Sequence, residues 1–166
     1  MPAAMRASIT IYNLSMKLTS RGELGLKAML EIAKAEAQNE SGVSGAEIAR
    51  RCQASPKFLE QVLTQLRVGG FIVSTRGRLG GYRLALDADQ ILVGQIHRLI
   101  DGPLAPAPCA SVSQHRPCDW CPSEADCELK VVWTRVRDAI AEVMDSTSLG
   151  DLVRQRALKP ADQYAI

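Results

Sequence analysis

The stretch CASVSQHRPCDWCPSEADC, residues 109–127, holds four of the five cysteines in the chain. Cys109, Cys118, Cys121 and Cys127 are spaced C-x8-C-x2-C-x5-C. Thiols at such spacing can form disulfides, bind zinc, switch by oxidation, or hold an iron–sulfur cluster. A chain of 166 residues that is 46% hydrophobic buries a core without covalent staples. It contains no secretory h-region and no apolar run long enough for a membrane span, which predicts a reducing, cytoplasmic setting and no membrane partner. Disulfides are disfavoured there. Zinc sites usually show two C-x2-C knuckles, and only one is present, whereas iron–sulfur spacings vary more. On thiol chemistry alone, zinc and iron–sulfur both stay open.

The elements that must carry this loop begin with a charge asymmetry. Residues 1–86 hold 12 Lys/Arg and 6 Asp/Glu, and residues 87–166 hold 8 and 12, so +6 precedes −4. A basic N-terminal half points to phosphate. MPAAMRASITIYNLS (1–15) reads as an irregular leader, with the domain starting at Met16. Ser20 as N-cap and Glu23 three residues on form an expected capping box. Leu26, Met29, Leu30 and Ala33 then mark an amphipathic helix over 20–37. A short helix in GAEIARRC turns Ile48 and Ala49 inward. After the turn QAS, Ser55 caps a third helix that has Pro56 in its first turn and closes at Gly69-Gly70. Its apolar face is Leu59, Val62, Leu63 and Leu66. Its polar face shows Lys57, Glu60, Gln61, Thr64 and Gln65, side chains that can reach base edges.

FIVSTRGRLGGYRLAL follows as two strands, Phe71–Thr75 and Tyr82–Leu86, joined by a basic, glycine-rich tip. Arg76 and Arg78 at that tip suit a wing entering a DNA groove. The expected fold is mainly α with a small β-hairpin wing: a winged helix-turn-helix over 16–86. The candidate DNA contacts are Ser55, Lys57, Phe58, Gln61 and Thr64 of the third helix, with Arg76 and Arg78 of the wing.

The segments MKLTSRGELGLKAMLEIA, SPKFLEQVLTQLRVGGFIVSTRGRLGGYRL, CPSEADCELKVVW and SLGDL resemble the Rrf-two family of bacterial winged-helix regulators, from Met16 to about Lys159. That family includes regulators of iron–sulfur supply, nitric oxide response and iron supply. The resemblance implies a DNA-binding transcriptional regulator, a repressor, sensing iron, redox state or nitric oxide. It implies a homodimer with a long C-terminal helix crossing to the partner, and three loop cysteines holding a [2Fe–2S] or [4Fe–4S] cluster. It favours the cluster over zinc. Cys121 and Cys127 match the family's last two cysteines and Cys109 its first, which leaves Cys118 extra. Some members add a histidine three residues after the last cysteine, where this chain has Lys130. Others use a carboxylate at the eighth position of the domain, donated by the partner subunit. Counted from Met16, that position is Glu23.

The remaining residues agree with a dimer. After a helix over Val93–Ile100, GPLAPAP reads as a stiff extended connector, so 87–108 is a helix plus connector and 109–127 the cysteine loop. Ser123 and Asp126 suggest a second capping box that starts a helix near Glu124, within a segment 124–159. Leu129, Val132, Trp133, Val136, Ile140, Val143 and Met144 make one apolar stripe, which needs a packing surface. A second subunit supplies it, and a twofold dimer predicts palindromic double-stranded DNA as the target. Cys52 reads as a packing residue, His97 as a surface or core histidine and not a ligand, and Trp133 as core at the base of the long helix. His115 is a minor ligand candidate. No nucleophile–base set or phosphate-cradling loop is present, so an enzyme is not expected. The alternative reading is a winged-helix regulator whose cysteine loop is a structural zinc or redox-thiol site.

Overall fold

A computed structural model describes residues 18–75, 77, 80–118, 121 and 123–158. The leader, the domain start at Met16, the wing arginines Arg76 and Arg78, and the chain end from 159 lie outside the described residues. Helix α1 spans Ser20–Ala37, as its periodicity predicts. Its cap differs from expectation. Thr19, not Ser20, is the N-cap, and its hydroxyl accepts from Gly22 N–H at 3.0 Å. Glu23 is not part of a capping box and pairs instead with Lys27 at 2.6 Å. Thr19 wins the cap because its hydroxyl also donates to Asp101 Oδ1, at 2.6 Å.

Helix α2 (Gly45–Cys52) is capped by Ser44, and α3 (Pro56–Val68) by Ser55. Gln53, at φ 53°, supplies the left-handed residue that turns the chain between them. Strands β1 (Ile72–Thr75) and β2 (Gly81–Leu84) pair antiparallel, with Ile72 opposite Leu84 and Thr75 opposite Gly81. Each is shorter than its expected range. Tyr82 exchanges two backbone hydrogen bonds with Val43 (2.8 and 3.1 Å), seating the hairpin beside α2. A Cβ on Gly81 would stand 2.8 Å from the Val43 carbonyl, so this approach admits only glycine. Glu36 Oε1 accepts from Leu84 N–H at 2.7 Å, tying the hairpin to α1.

Helix α4 (Val93–Ile100) packs against both α1 and α3. The connector after it is not wholly extended in solvent, since Leu104 and Ala105 are buried. Helix α5 spans Glu128–Ser146 and α6 spans Leu149–Leu158, the latter against α1. The expected capping box at Ser123–Asp126 forms a turn instead, and α5 starts four residues late with Cys127 as N-cap. One core joins these elements, with Met29, Ile32, Ile48, Leu63, Ile96 and Leu149 buried in it. Helix α5 contributes no buried residue. Trp133 is half-buried rather than core, because α5 contributes no residue to the buried core. Among the described residues, no helix is long and apolar enough to cross a membrane.

His97 is 1% exposed, inside the core rather than on its surface. Burial is the largest influence on its imidazole and pushes its pKa down; nearby Asp101 opposes this and Arg98 adds to it. The unfolded chain takes up a proton below about pH 6.5 that the folded chain resists. Its contribution to stability is therefore complete above that pH and is lost as pH falls through the window below it. Thermal unfolding measured from about pH 7.5 to about pH 5 is expected to show a falling midpoint, which His97→Leu flattens. An equal slope in the variant would contradict a neutral buried His97.

Candidate metal centre and DNA-binding face

Two clusters of polar chemistry sit at opposite ends of this framework. The first lies where the cysteine loop meets the start of α5. A 3-10 turn at Pro108–Ala110 buries Cys109, and Arg137 Nη1 from α5 donates to Ala110 O at 2.8 Å, pinning that turn to the helix. The loop returns to the same turn through Arg116 N–H, which donates to Pro108 O at 3.3 Å. Cys121 N–H donates to Cys118 O at 3.2 Å, so the C-x2-C pair forms a local turn. The Cys121 and Cys127 sulfurs are 3.4 Å apart.

Their ionisation follows from that contact. Donation to Cys127, with Cys118 alongside, pushes the Cys121 thiol up to about 12. Cys127 is pushed down, first by that bond and then by the backbone N–H groups of Lys130 and Leu129 at the start of α5. Cys127 is thus the first of the pair to ionise. Burial pushes the Cys109 thiol up, and Cys118 is its next largest influence. The one direct sulfur–sulfur contact is Cys121 to Cys127, with Cys118 and Cys109 on the flanking turns of the same loop.

Glu124 organises the loop's other side. His115 Nε2 lies 2.8 Å from Glu124 Oε1, and Lys130 Nζ donates to the same oxygen at 2.5 Å. Hydrogen bonds from Lys130 and then His115 hold this carboxylate below its usual range. Lys130, at the position where a histidine ligand was considered, is pushed up by Glu124 and stays an ammonium with no lone pair to give.

Donor chemistry and approach fit a thiophilic metal or cluster. Thiolates on one tetrahedral ion, with bonds of about 2.3 Å, stand roughly 3.8 Å apart. The Cys121–Cys127 contact of 3.4 Å is near that edge. The set is not closed: among the described residues, no group of three or more His, Cys, Asp or Glu side chains is gathered tightly enough to hold a metal ion. Glu23 is not brought to the cysteines of its own chain. It lies on α1 and lines a cavity of about 300 Å³ with Ser20, Lys27, Cys52 and Phe58. Cys52 is half-buried, and burial pushes its thiol up, as suits a packing residue.

The second cluster is the outer face of α3. Lys57, Glu60, Gln61 and Thr64 are exposed along it. Ser55 Oγ accepts from Phe58 N–H at 3.3 Å, and Phe58 packs partly on the core, so both serve the helix start first. Gln65 departs from expectation. It is half-buried and turned toward α4, where its amide donates to Leu99 O at 2.8 Å. Arg21 was not foreseen: its Nη2 donates to Gln61 Oε1 at 3.3 Å. A guanidinium has no acceptor, so the Gln61 oxygen faces Arg21 and its NH2 group is left to meet base acceptors.

A helix-turn-helix followed by a hairpin and a long C-terminal helix defines a winged-helix DNA-binding regulator. The profile of the Rrf2 family, described as an iron-dependent transcriptional regulator, matches residues 18–155. An rrf2-like HTH-type transcriptional regulator of Rhodobacter capsulatus is 37% identical over 137 residues, covering 82% of this chain and 91% of that one. The structure of CymR, the global cysteine regulator of Bacillus subtilis, superposes with a TM-score of 0.67 at 34% identity, covering 84% and 98%. That of the regulator IscR of T. potens does so at 0.66 and 30% identity, covering 90% and 95%. The chain belongs to the Rrf2 family of transcriptional regulators.

Two measurements follow. In the reduced, chelator-treated protein, mass-spectrometric mapping after brief iodoacetamide exposure at neutral pH is expected to find Cys127 labelled ahead of Cys121, Cys109 and Cys52. Equal labelling would contradict the preferred ionisation of Cys127. On DNA, Lys57→Ala is expected to weaken operator and unrelated sequences alike and to reduce the salt slope by about one. Gln61→Ala instead should cost about 1–3 kcal/mol of discrimination at one base pair. Unchanged binding in both variants would remove α3 from the groove.

Proposed function

We propose that this chain is a homodimeric repressor whose cysteine loop holds an iron–sulfur cluster and thereby sets its affinity for a palindromic operator. The observation that carries this reading is the contact of the Cys121 and Cys127 sulfurs at the start of α5, beside the Cys109 turn that Arg137 pins to the same helix. A cluster there supplies a chemical state that changes with oxidation, nitric oxide or iron supply. The protein's residues do the rest. Cys109, Cys121 and Cys127 are the thiolates, Cys127 being favoured as the anion by the helix start. Cys118 stands among them as the fourth, and Glu23 of α1 is the candidate carboxylate for the partner subunit's loop. Glu124, with Lys130 and His115, holds the loop closed around them.

The exposed side of α5 supports the dimer. Leu129, Val132, Val136 and Val143 are exposed, Trp133 and Ile140 are only half-buried, and no residue of the helix is buried by its own chain. An apolar row of this length in water is the mark of a surface meant to be covered. Two copies joined along α5 place their α3 helices about one DNA turn apart, or a multiple of it.

Anaerobic purification tests the reading. The expected protein is brown, with broad visible absorption, acid-labile sulfide and iron, and it bleaches with nitric oxide or oxygen. Cys121→Ser and Cys127→Ser should abolish the colour, while Cys118→Ser and Glu23→Ala separate the two candidates for the fourth position by which one alters the spectrum. A colourless protein with stoichiometric zinc, prepared under the same conditions, would overturn the cluster in favour of a structural zinc site.

A further inference from the structure

The last turn of α4 is where three parts of the chain meet. Its carbonyl at Leu99 has no helical partner of its own, and it accepts the amide of Gln65 from α3. Two residues on, the Asp101 carboxylate receives both Thr19 N–H (3.1 Å) and the Thr19 hydroxyl (2.6 Å), capping the start of α1. The Asp101 side chain is 2% exposed, and the Thr19 that it receives lies at the exposed start of α1. Gly102, at φ +94°, then turns the chain into the connector that leads to Cys109.

The packing around this turn leaves no slack. A Cβ on Gly22 would lie 1.9 Å from Asp101 Oδ2, one on Gly25 2.1 Å from Ile100 Cδ1, and one on Gly69 2.4 Å from Leu99 Cδ2. These three glycines belong to α1 and to the end of α3, so both elements are seated directly on the turn. One polar group is left unserved. His97 is buried with no hydrogen-bond partner at either ring nitrogen, and its Nδ1 lies 3.8 Å from Asp101 Oδ2. An unpaired buried donor is costly. A small rotation that closes this gap would serve His97 while drawing the carboxylate away from Thr19.

We infer that Gln65 and Asp101 are positioning residues for DNA binding: through the last turn of α4 they fix α3 and α1 relative to the stem of the cysteine loop. Asp101 thus has two candidate partners, Thr19, which it binds, and His97, which stands 3.8 Å away. Coupling between distant sites requires a two-state element in a contiguous network. Displacement of the loop reaches the recognition helix through Leu99 and the first turn of α1 through Thr19. The coupling part of this inference rests on the reading of the cysteine loop as the sensing element. The positioning part does not.

Full-length Gln65→Leu and Asp101→Asn separate the two. Fluorescence anisotropy on operator and on unrelated DNA, using metal-free protein, reads positioning. Selectivity for operator is expected to fall at least about fivefold, with circular dichroism unchanged. Unaltered selectivity in both variants overturns the inference. Thr19→Val, which removes the hydroxyl bond to Asp101 and the cap on Gly22 N–H but keeps the Thr19 N–H bond, gives the same reading with a smaller loss if Asp101→Asn does not fold. Reconstitution with iron and sulfide then reads coupling: the variants should take up the cluster with the parental spectrum while the ratio of operator affinities, loaded to metal-free, collapses toward one. A parental ratio in both variants overturns the coupling role. If the parent protein takes up no cluster, the sensing reading fails, and the positioning role is decided by selectivity alone.

Discussion

Three carboxylates seated on helix starts join the helices of this domain end to end. Asp101 sits on the first turn of α1, Asp145 on that of α4, and Asp89 on that of α6. At each place the receiving helix has a glycine, Gly22, Gly94 and Gly150, whose missing Cβ is filled by the acid. A Cβ there would lie 1.9, 2.0 and 1.8 Å from the nearest carboxylate oxygen. The unpaired N–H groups and positive end of each helix favour the negative charge. Arginines complete two of the three: Arg98 grips Asp145 through both nitrogens at 2.6 and 2.7 Å, and Arg154 binds Asp89 at 2.7 Å. The hydrogen bonds from Arg98 hold the Asp145 carboxyl below its usual range.

These contacts form a chain of command. Asp145 ends the helix that starts at Cys127, and it holds the beginning of α4. Asp101 ends α4 and holds the beginning of α1. From the cysteine loop to the helix that carries Glu23, each step is one rigid element locked to the next by an acid on a helix start. The backbone reinforces the middle link, where Val93 N–H donates to Thr147 O at 3.0 Å and Leu149 N–H to Ile91 O at 2.9 Å. A domain built this way transmits displacement instead of absorbing it.

Short-range signals in the sequence describe most of the fold. The helices at 20–37, 45–52 and 93–100 stand where periodicity places them, because apolar spacing and turn residues act within one or two turns. Capping was less legible. Thr19 displaced Ser20 because a distant acid, Asp101, chose between two adequate hydroxyls, and the start of α5 fell back to Glu128 although Ser123 and Asp126 spelled a good box. The cysteines were visible as a group, and so was the unpartnered stripe on α5. Gln65 was not: it sits at the edge of the polar face, and only the position of α4 decides whether it meets DNA or Leu99. The Arg21–Gln61 bond spans 40 residues and the Thr19–Asp101 bonds span 82, and nothing local announces them.

The proposed coupling predicts that a change at the cysteines moves α3 in the proposed dimer. Pulsed electron–electron distance measurement tests this most directly, with a spin-labelled residue introduced at Val68, an 81% exposed position at the end of α3. Two separate distances are expected for the cluster-loaded and metal-free dimers, the one near a whole number of DNA turns belonging to the form that binds operator. A single distance in both forms, alongside different operator affinities, would contradict the account.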